Sequence, residues 1–124
     1  MLANSPPTMK PSTTEAQRKC AKSINRALKP FFAVRDTMPL QYVATFLLVA
    51  EEEGLNVATY ATRAGISQSL MTRHLSDLGE VNRYHEEGFG LLEAFTDLMD
   101  RRNRLVRLTA KGKHVVYEMC KSFD

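Results

Sequence analysis

Residues 56–78 read NVATYATRAGISQSLMTRHLSDL and carry two helix starts eleven residues apart. Asn56 is a strong N-cap for a short helix over residues 57–64, which Gly65 can end in a left-handed turn. Ser67 then caps a second helix, in which Met71, Leu75 and Leu78 fall at i, i+4 and i+7 and face a core. Gln68, Ser69, Thr72, Arg73 and Ser76 are left on its outside. Two short helices joined by a glycine-containing turn are the sequence form of a helix-turn-helix, a corner that other small helical proteins also contain.

Downstream the hydrophobic period shortens from that of a helix to that of a strand. Leu92 and Ala94 alternate with Glu93 and Phe95, and Val106 and Leu108 with Leu105 and Arg107, which predicts two antiparallel strands. The segment between them, residues 97–103, is polar apart from Leu98 and Met99. Arg101, Arg102, Arg104 and Arg107 lie at or beside this tip, where strand pairing pushes them away from the body. Asp100 suits an orienting role, because a carboxylate bonded to a guanidinium fixes its plane, here that of Arg102. Thr109 should cap a last helix over residues 110–122, with Val115, Val116, Met119 and Phe123 packing inward. Residues 78–90, polar and with glycines at 79, 88 and 90, read as a long connection.

Upstream, Ala16, Cys20, Ile24 and Leu28 recur every four residues and draw an apolar stripe on a helix that starts at a Thr14 cap and should end before Pro30. Its other faces carry Arg18, Lys19, Lys22, Arg26 and Lys29, read as a solvated surface ahead of a phosphate-contacting one. Phe31, Phe32 and Val34 are too apolar for a free linker. A second helix should open at Pro39 and close at Gly54; its apolar residues, Tyr42, Val43, Phe46, Leu47, Val49 and Ala50, occupy more than one face, as in a central helix. Glu51, Glu52 and Glu53 sit badly at the negative end of that helix and are expected to be exposed, with no chemistry assigned. Residues 1–13, with Pro6, Pro7, Pro11 and several hydroxyl residues, have little to bury and are expected to form a disordered tail. Residues 14–124 then make one domain, mainly α with a small β-hairpin wing: a winged helix-turn-helix.

The composition fits that reading and removes others. At 124 residues, 44% hydrophobic and 25% charged, the chain has material for one compact core. Its net charge of +3 suits an anionic partner but is small enough that the distribution of charge matters more. Cys20 and Cys120 stand near opposite ends without a CxxC pairing, which argues for reduced, partly buried thiols rather than a zinc site. The longest apolar run, residues 42–50, is too short to span a bilayer, and residues 1–14 lack the apolar stretch of a signal peptide, so a cytoplasmic location is expected. The chain offers no glycine-rich phosphate loop, Ser/His/Asp signature or paired-histidine motif, and His74, His85 and His114 are scattered. No enzyme activity, cofactor or metal is therefore expected; His74, beside the core stripe of its helix, suits packing or a phosphate contact.

The pattern that remains points to double-stranded DNA. The major groove admits one α-helix, and the outer face of the Ser67 helix offers groups suited to base edges. Gln68 can bond an adenine edge and Arg73 a guanine edge or a phosphate, while Ser69 and Thr72 can serve either. A minor groove with strong negative potential attracts arginines such as Arg101, Arg102 and Arg104. The alternative is a winged helix used as a protein-interaction module, since fold does not fix function. Salt discriminates the two, because phosphate contacts weaken steeply with ionic strength and a mainly apolar interface does not.

Residues 38–120 resemble the core of the MarR family of bacterial transcription regulators. The segment DRRNRLVRLTAKG, residues 100–112, is very similar to the family's DRR-x-x-x-VRLT-x-KG wing signature, and Gly90-Leu91-Leu92 lies at the family's usual distance before it. Ala61, Gly65-Ile66-Ser67-Gln68-Ser69 and Thr72-Arg73 resemble its helix-turn-helix. The resemblance implies a homodimer, a repressor in the first instance, reading a roughly palindromic site with Gln68, Ser69, Thr72 and Arg73 in the major groove and Arg102 in the minor groove. Two features depart from the pattern. Residues 79–89 form an insertion between recognition helix and wing. The C-terminal segment is also shorter than the terminal helices that build the dimer and shape a ligand pocket in typical members. A dimer here leans on the helix over residues 14–29, and a small-molecule effector is the weakest of the implied partners.

Overall fold

The computed structural model describes residues 10, 12–80 and 87–123. Five helices and a small sheet follow one another as α1 (Glu15–Val34), α2 (Leu40–Glu51), β1 (Leu55–Asn56), α3 (Val57–Ala64), α4 (Gln68–Leu78), β2 (Leu92–Thr96), β3 (Arg104–Leu108) and α5 (Ala110–Cys120), closed by a 3-10 turn at Lys121–Phe123. The architecture is mainly α with a β-hairpin wing, a winged helix-turn-helix. The tail expected over residues 1–13 lies almost wholly outside the described residues, as do His85 and the middle of the 79–89 insertion. No helix among the described residues is long and apolar enough to cross a membrane.

Four helices begin at the residues predicted to cap them. The side chains of Thr14, Asn56, Ser67 and Thr109 accept from the backbone N–H groups of Gln17, Thr59, Leu70 and Gly112 respectively. Each bond satisfies a donor that the first helical turn cannot pair internally. At Thr14 the bond is reciprocated, since Gln17 Oε1 accepts from the Thr14 N–H at 2.9 Å. Gly65 ends α3 at φ 70°, a left-handed conformation that costs glycine least.

The core gathers Phe31, Phe46, Tyr60, Met71, Leu78, Leu91 and Leu92 between α1, α2, the helix-turn-helix and the root of the wing. Phe31 meets Phe46 edge to face at 5.4 Å between ring centroids. This contact explains why α1 does not stop before Pro30, as expected, but continues to Val34. An internal proline forfeits a backbone hydrogen bond and costs about 3 kcal/mol. Burying Ala27 and Phe31, with Leu28 and Val34 packed beside them, offsets that cost. The buried stripe of α1 therefore sits in its C-terminal half. Ala16, Cys20 and Ile24 are exposed rather than buried, and so are Phe123 and both thiols, contrary to expectation.

The sheet has the order β1-β3-β2, all antiparallel. In the hairpin, Leu92 faces Leu108 and Thr96 faces Arg104. The short β1 pairs Leu55 with Val106 and Asn56 with Leu105, so the residue that caps α3 is also stitched to the wing. The glutamate run does more than face solvent. Glu52 pairs with Arg63 of α3 at 2.8 Å, and Glu53 accepts from the Leu108 N–H at 2.8 Å. The Tyr60 hydroxyl donates to the Glu52 carbonyl at 2.8 Å and accepts from the Leu55 N–H at 3.3 Å; burial above all raises its pKa.

The two ends of the 79–89 insertion are zipped together. The N–H groups of Gly88, Gly90 and Leu91 donate to the carbonyls of Glu80, Gly79 and Leu78 at 2.8–2.9 Å. Gly88 permits this approach, because a Cβ there would stand 2.2 Å from the Gly79 carbonyl oxygen. The chain thus re-enters the fold beside the point where it left, and the insertion does not displace the wing from α4.

Candidate nucleic-acid interface

Helix α4 is anchored by one side and presents the other. Met71, His74, Leu75 and Leu78 are buried, whereas Gln68, Ser69, Thr72 and Arg73 are exposed and Ser76 is half-buried. His74 packs into the core rather than reaching outward. Its Nδ1 lies 3.2 Å from the Thr45 hydroxyl of α2, and its ring meets Tyr42 edge to face at 5.1 Å. Tyr42 in turn donates to the Asp77 carboxylate at 2.6 Å. Desolvation lowers the His74 pKa, with Arg73 adding to the shift and Asp77 opposing it. The histidine therefore serves as a neutral fastener between α4 and α2, and it leaves Arg73 on the open face.

The wing leaves the sheet as a tight, heavily bonded tip. The Asp97 N–H donates to the Asn103 carbonyl at 3.0 Å, and the Asn103 N–H to the Asp100 carbonyl at 2.9 Å. Two aspartates fold back on the backbone: Asp97 Oδ1 accepts from the Met99 N–H at 2.9 Å and Asp100 Oδ1 from the Arg102 N–H at 3.1 Å. Such Asx turns hold a loop without help from a core. Asp100 Oδ1 also lies 3.4 Å from Arg102 Nε, while the Arg102 side chain is 94% exposed. Arg101 and Arg104 are exposed as well. Arg107 is committed elsewhere: it pairs with Glu93 across the hairpin at 2.7 Å and lies over the Phe95 ring at 4.5 Å. It stiffens the wing and is not one of its open cations.

A side-chain relay, missed in the sequence, ties this tip to the helix-turn-helix. Asn56 Oδ1 accepts from the Thr59 N–H at 2.9 Å and from the Thr59 hydroxyl at 2.8 Å. Asn56 Nδ2 donates to Asn103 Oδ1 at 3.3 Å, and Asn103 Nδ2 donates to Asp97 Oδ2 at 3.4 Å. The direction is fixed at both ends, because a backbone N–H can only donate and an ionised carboxylate can only accept. The signal for Asn56 was its capping position; Asn103 had none, being one more polar residue in a polar turn.

Helix α4 and the wing border one another. Thr72 and Ser76 of α4 and Glu93 and Arg104 of the hairpin line a cleft of about 610 Å³ over Leu75, Leu92 and Val106. Thr72 of the exposed row on α4 and Arg104 of the wing thus line the same cleft. A second groove, about 560 Å³, lies between α1 and α5, with Arg26, Lys29, Lys111, His114 and Glu118 around Pro30, Val34 and Val115.

No family model matches the chain, and no curated protein matches it in sequence. Solved structures match its fold. RV1404 from Mycobacterium tuberculosis superposes with a TM-score of 0.63 at 21% identity, over 86% of this chain and 65% of that one. A MarR transcriptional regulator from Methanosarcina mazei Go1 gives 0.60 at 19%, over 86% and 70%. The transcriptional repressor CouR, bound to a 23-mer DNA duplex, gives 0.57 at 25%, over 86% and 68%. The chain spans about two thirds of the length of these proteins. In the order of its helices, the three-stranded sheet and the wing, the chain has the winged helix-turn-helix fold of the MarR transcriptional regulators.

Proposed function

We propose that the chain is a sequence-specific regulator of transcription that binds double-stranded DNA as a homodimer, in the manner of a short MarR-type repressor. The observation that carries this is the cleft that Thr72 of a capped, core-anchored helix shares with Arg104 of the wing, with Gln68, Ser69 and Arg73 exposed on the same helix and Arg101 and Arg102 exposed at the wing tip. Helix α4 enters the major groove, where Gln68 and Arg73 read base edges and Ser69 and Thr72 bond bases or phosphates. Arg101, Arg102 and Arg104 follow the adjacent minor groove, with Asp100 setting the plane of Arg102. CouR, a repressor seen on DNA with this fold, supports the assignment.

Residues 14–124 act as one unit, and the open apolar residues of α1, Ala16, Cys20 and Ile24, are the surface a second copy would cover. The functional test uses a duplex recovered from a random pool. Arg73→Ala should flatten site preference, with a loss of about 1–3 kcal/mol confined to one base position. Arg102→Ala should weaken all sequences alike. Unchanged binding in both variants removes the helix-and-wing assignment.

A further inference from the structure

The tip of the wing holds two adjacent apolar side chains that the fold leaves in water. Leu98 is 89% exposed and Met99 93% exposed, the most open of the large hydrophobic residues described. They are not there because the loop is loose. Asp97 bonds the Met99 N–H, the Asp97 N–H bonds the Asn103 carbonyl, and the Asn103 amide anchors the turn to Asn56 and α3. The turn is thus braced on both sides of the pair. Immediately after it come Asp100, Arg101 and Arg102, with the Arg102 guanidinium almost fully exposed.

A short apolar ridge beside two open guanidiniums, at the end of a braced hairpin that adjoins α4, fits one partner better than others. The cations are drawn to the negative potential of a minor groove. The apolar pair can then enter the base stack, as leucine and methionine wedges do in proteins that unstack a base step and kink the duplex. We propose that Leu98 and Met99 form a minor-groove wedge that partly unstacks one base step on each side of the operator dyad and kinks the duplex toward its major groove. This rests on the DNA-binding function proposed above and adds a source of specificity that touches no base edge. Pyrimidine–purine steps unstack at least cost, so the wedge selects TA or CA/TG at the positions under each wing tip.

The test compares the wild-type chain with Leu98→Ser/Met99→Ser. Both substituted side chains are exposed, so the melting temperature should stay within a degree or two of wild type. Each protein is used to select duplexes from a random pool. The duplex recovered by the wild type is then synthesised with 2-aminopurine at successive adenines and with a dye pair at its ends. The wild type should enrich a pyrimidine–purine step under each wing, raise 2-aminopurine fluorescence there and shorten the end-to-end distance. The double variant should bind that duplex about tenfold more weakly, with the fluorescence rise and the step preference lost and the central motif retained. Equal fluorescence and equal step preference in the two proteins would overturn the wedge, as would wild-type binding without any rise. Anionic vesicles bound by the wild type and not by the variant, with duplex binding the same in both, would overturn it in favour of a lipid surface. No duplex binding by the wild type would sink the underlying function instead, which separates the two failures.

Discussion

Replacing Asn103 by alanine breaks the relay between wing and helix-turn-helix at its centre. The substitution removes the bond from Asn56 Nδ2 at 3.3 Å and the bond to Asp97 Oδ2 at 3.4 Å, both part-buried. Side-chain hydrogen bonds contribute about 0.5–1.5 kcal/mol each, and lengths near the limit place these toward the lower end. The expected loss is therefore about 1–2 kcal/mol, read from urea unfolding as a lower midpoint at unchanged slope. Because alanine also alters the turn itself, a second substitution isolates the inter-element bond. Asn56→Asp keeps the α3 cap, for which aspartate and asparagine are nearly equivalent, but deletes the amide donor. Any gain from a negative charge at the α3 N-terminus occurs in both backgrounds and cancels in the double-mutant cycle. A coupling of about 0.5–1 kcal/mol is predicted between positions 56 and 103. Strict additivity of the two substitutions would refute the link, and an unchanged midpoint for Asn103→Ala would refute the relay as a whole.

Four further outcomes follow from the same structure. A Cβ on Gly112 would stand 2.3 Å from the Leu91 carbonyl oxygen, so Gly112→Ala should cost about 1–3 kcal/mol in thermal or urea unfolding. Gly65→Ala, left-handed but in open space, should cost about 1–2 kcal/mol, through conformation alone. Burial holds the His74 pKa below its ordinary 6.5, so the unfolded chain binds more protons as pH falls below that value, and stability should fall with it. The stabilisation is complete above about pH 6.5, and His74→Gln should make the midpoint flatter between pH 7.5 and pH 5, whereas an identical decline in the variant would assign the loss to other groups. Arg107 is already paired with Glu93, so Arg107→Ala should leave the salt dependence of DNA binding close to wild type, while Arg102→Ala reduces its slope by about one.

Local chemistry was the legible part of this fold. Thr14, Asn56, Ser67 and Thr109 each bond an N–H three residues ahead, so a cap and its partner are read in one glance along the chain. The i, i+4, i+7 pattern of Met71, Leu75 and Leu78 likewise separated the buried side of α4 from its exposed row. Features that depend on distant residues were not legible. Pro30 locally argues for a helix end, and only the seat of Phe31 against Phe46 shows why the helix continues. The two-residue β1 exists because Val106, about fifty positions later, offers it a partner. Asn103 acquires meaning through Asn56, and Glu53 through the Leu108 N–H. The apolar stripe of Ala16, Cys20 and Ile24 is real, but periodicity cannot tell a face covered by the same chain from one left open.

Binding to a random duplex pool is the decisive experiment for a DNA-reading dimer. Fluorescence anisotropy would be followed at several salt concentrations, and the retained duplexes sequenced. A dimer that reads DNA through α4 and the wing predicts affinity that falls steeply with salt and a recovered motif with two-fold symmetry, its half-sites about one helical turn apart. Absence of binding even at low salt would contradict it and leave the arginine-tipped wing to a protein partner.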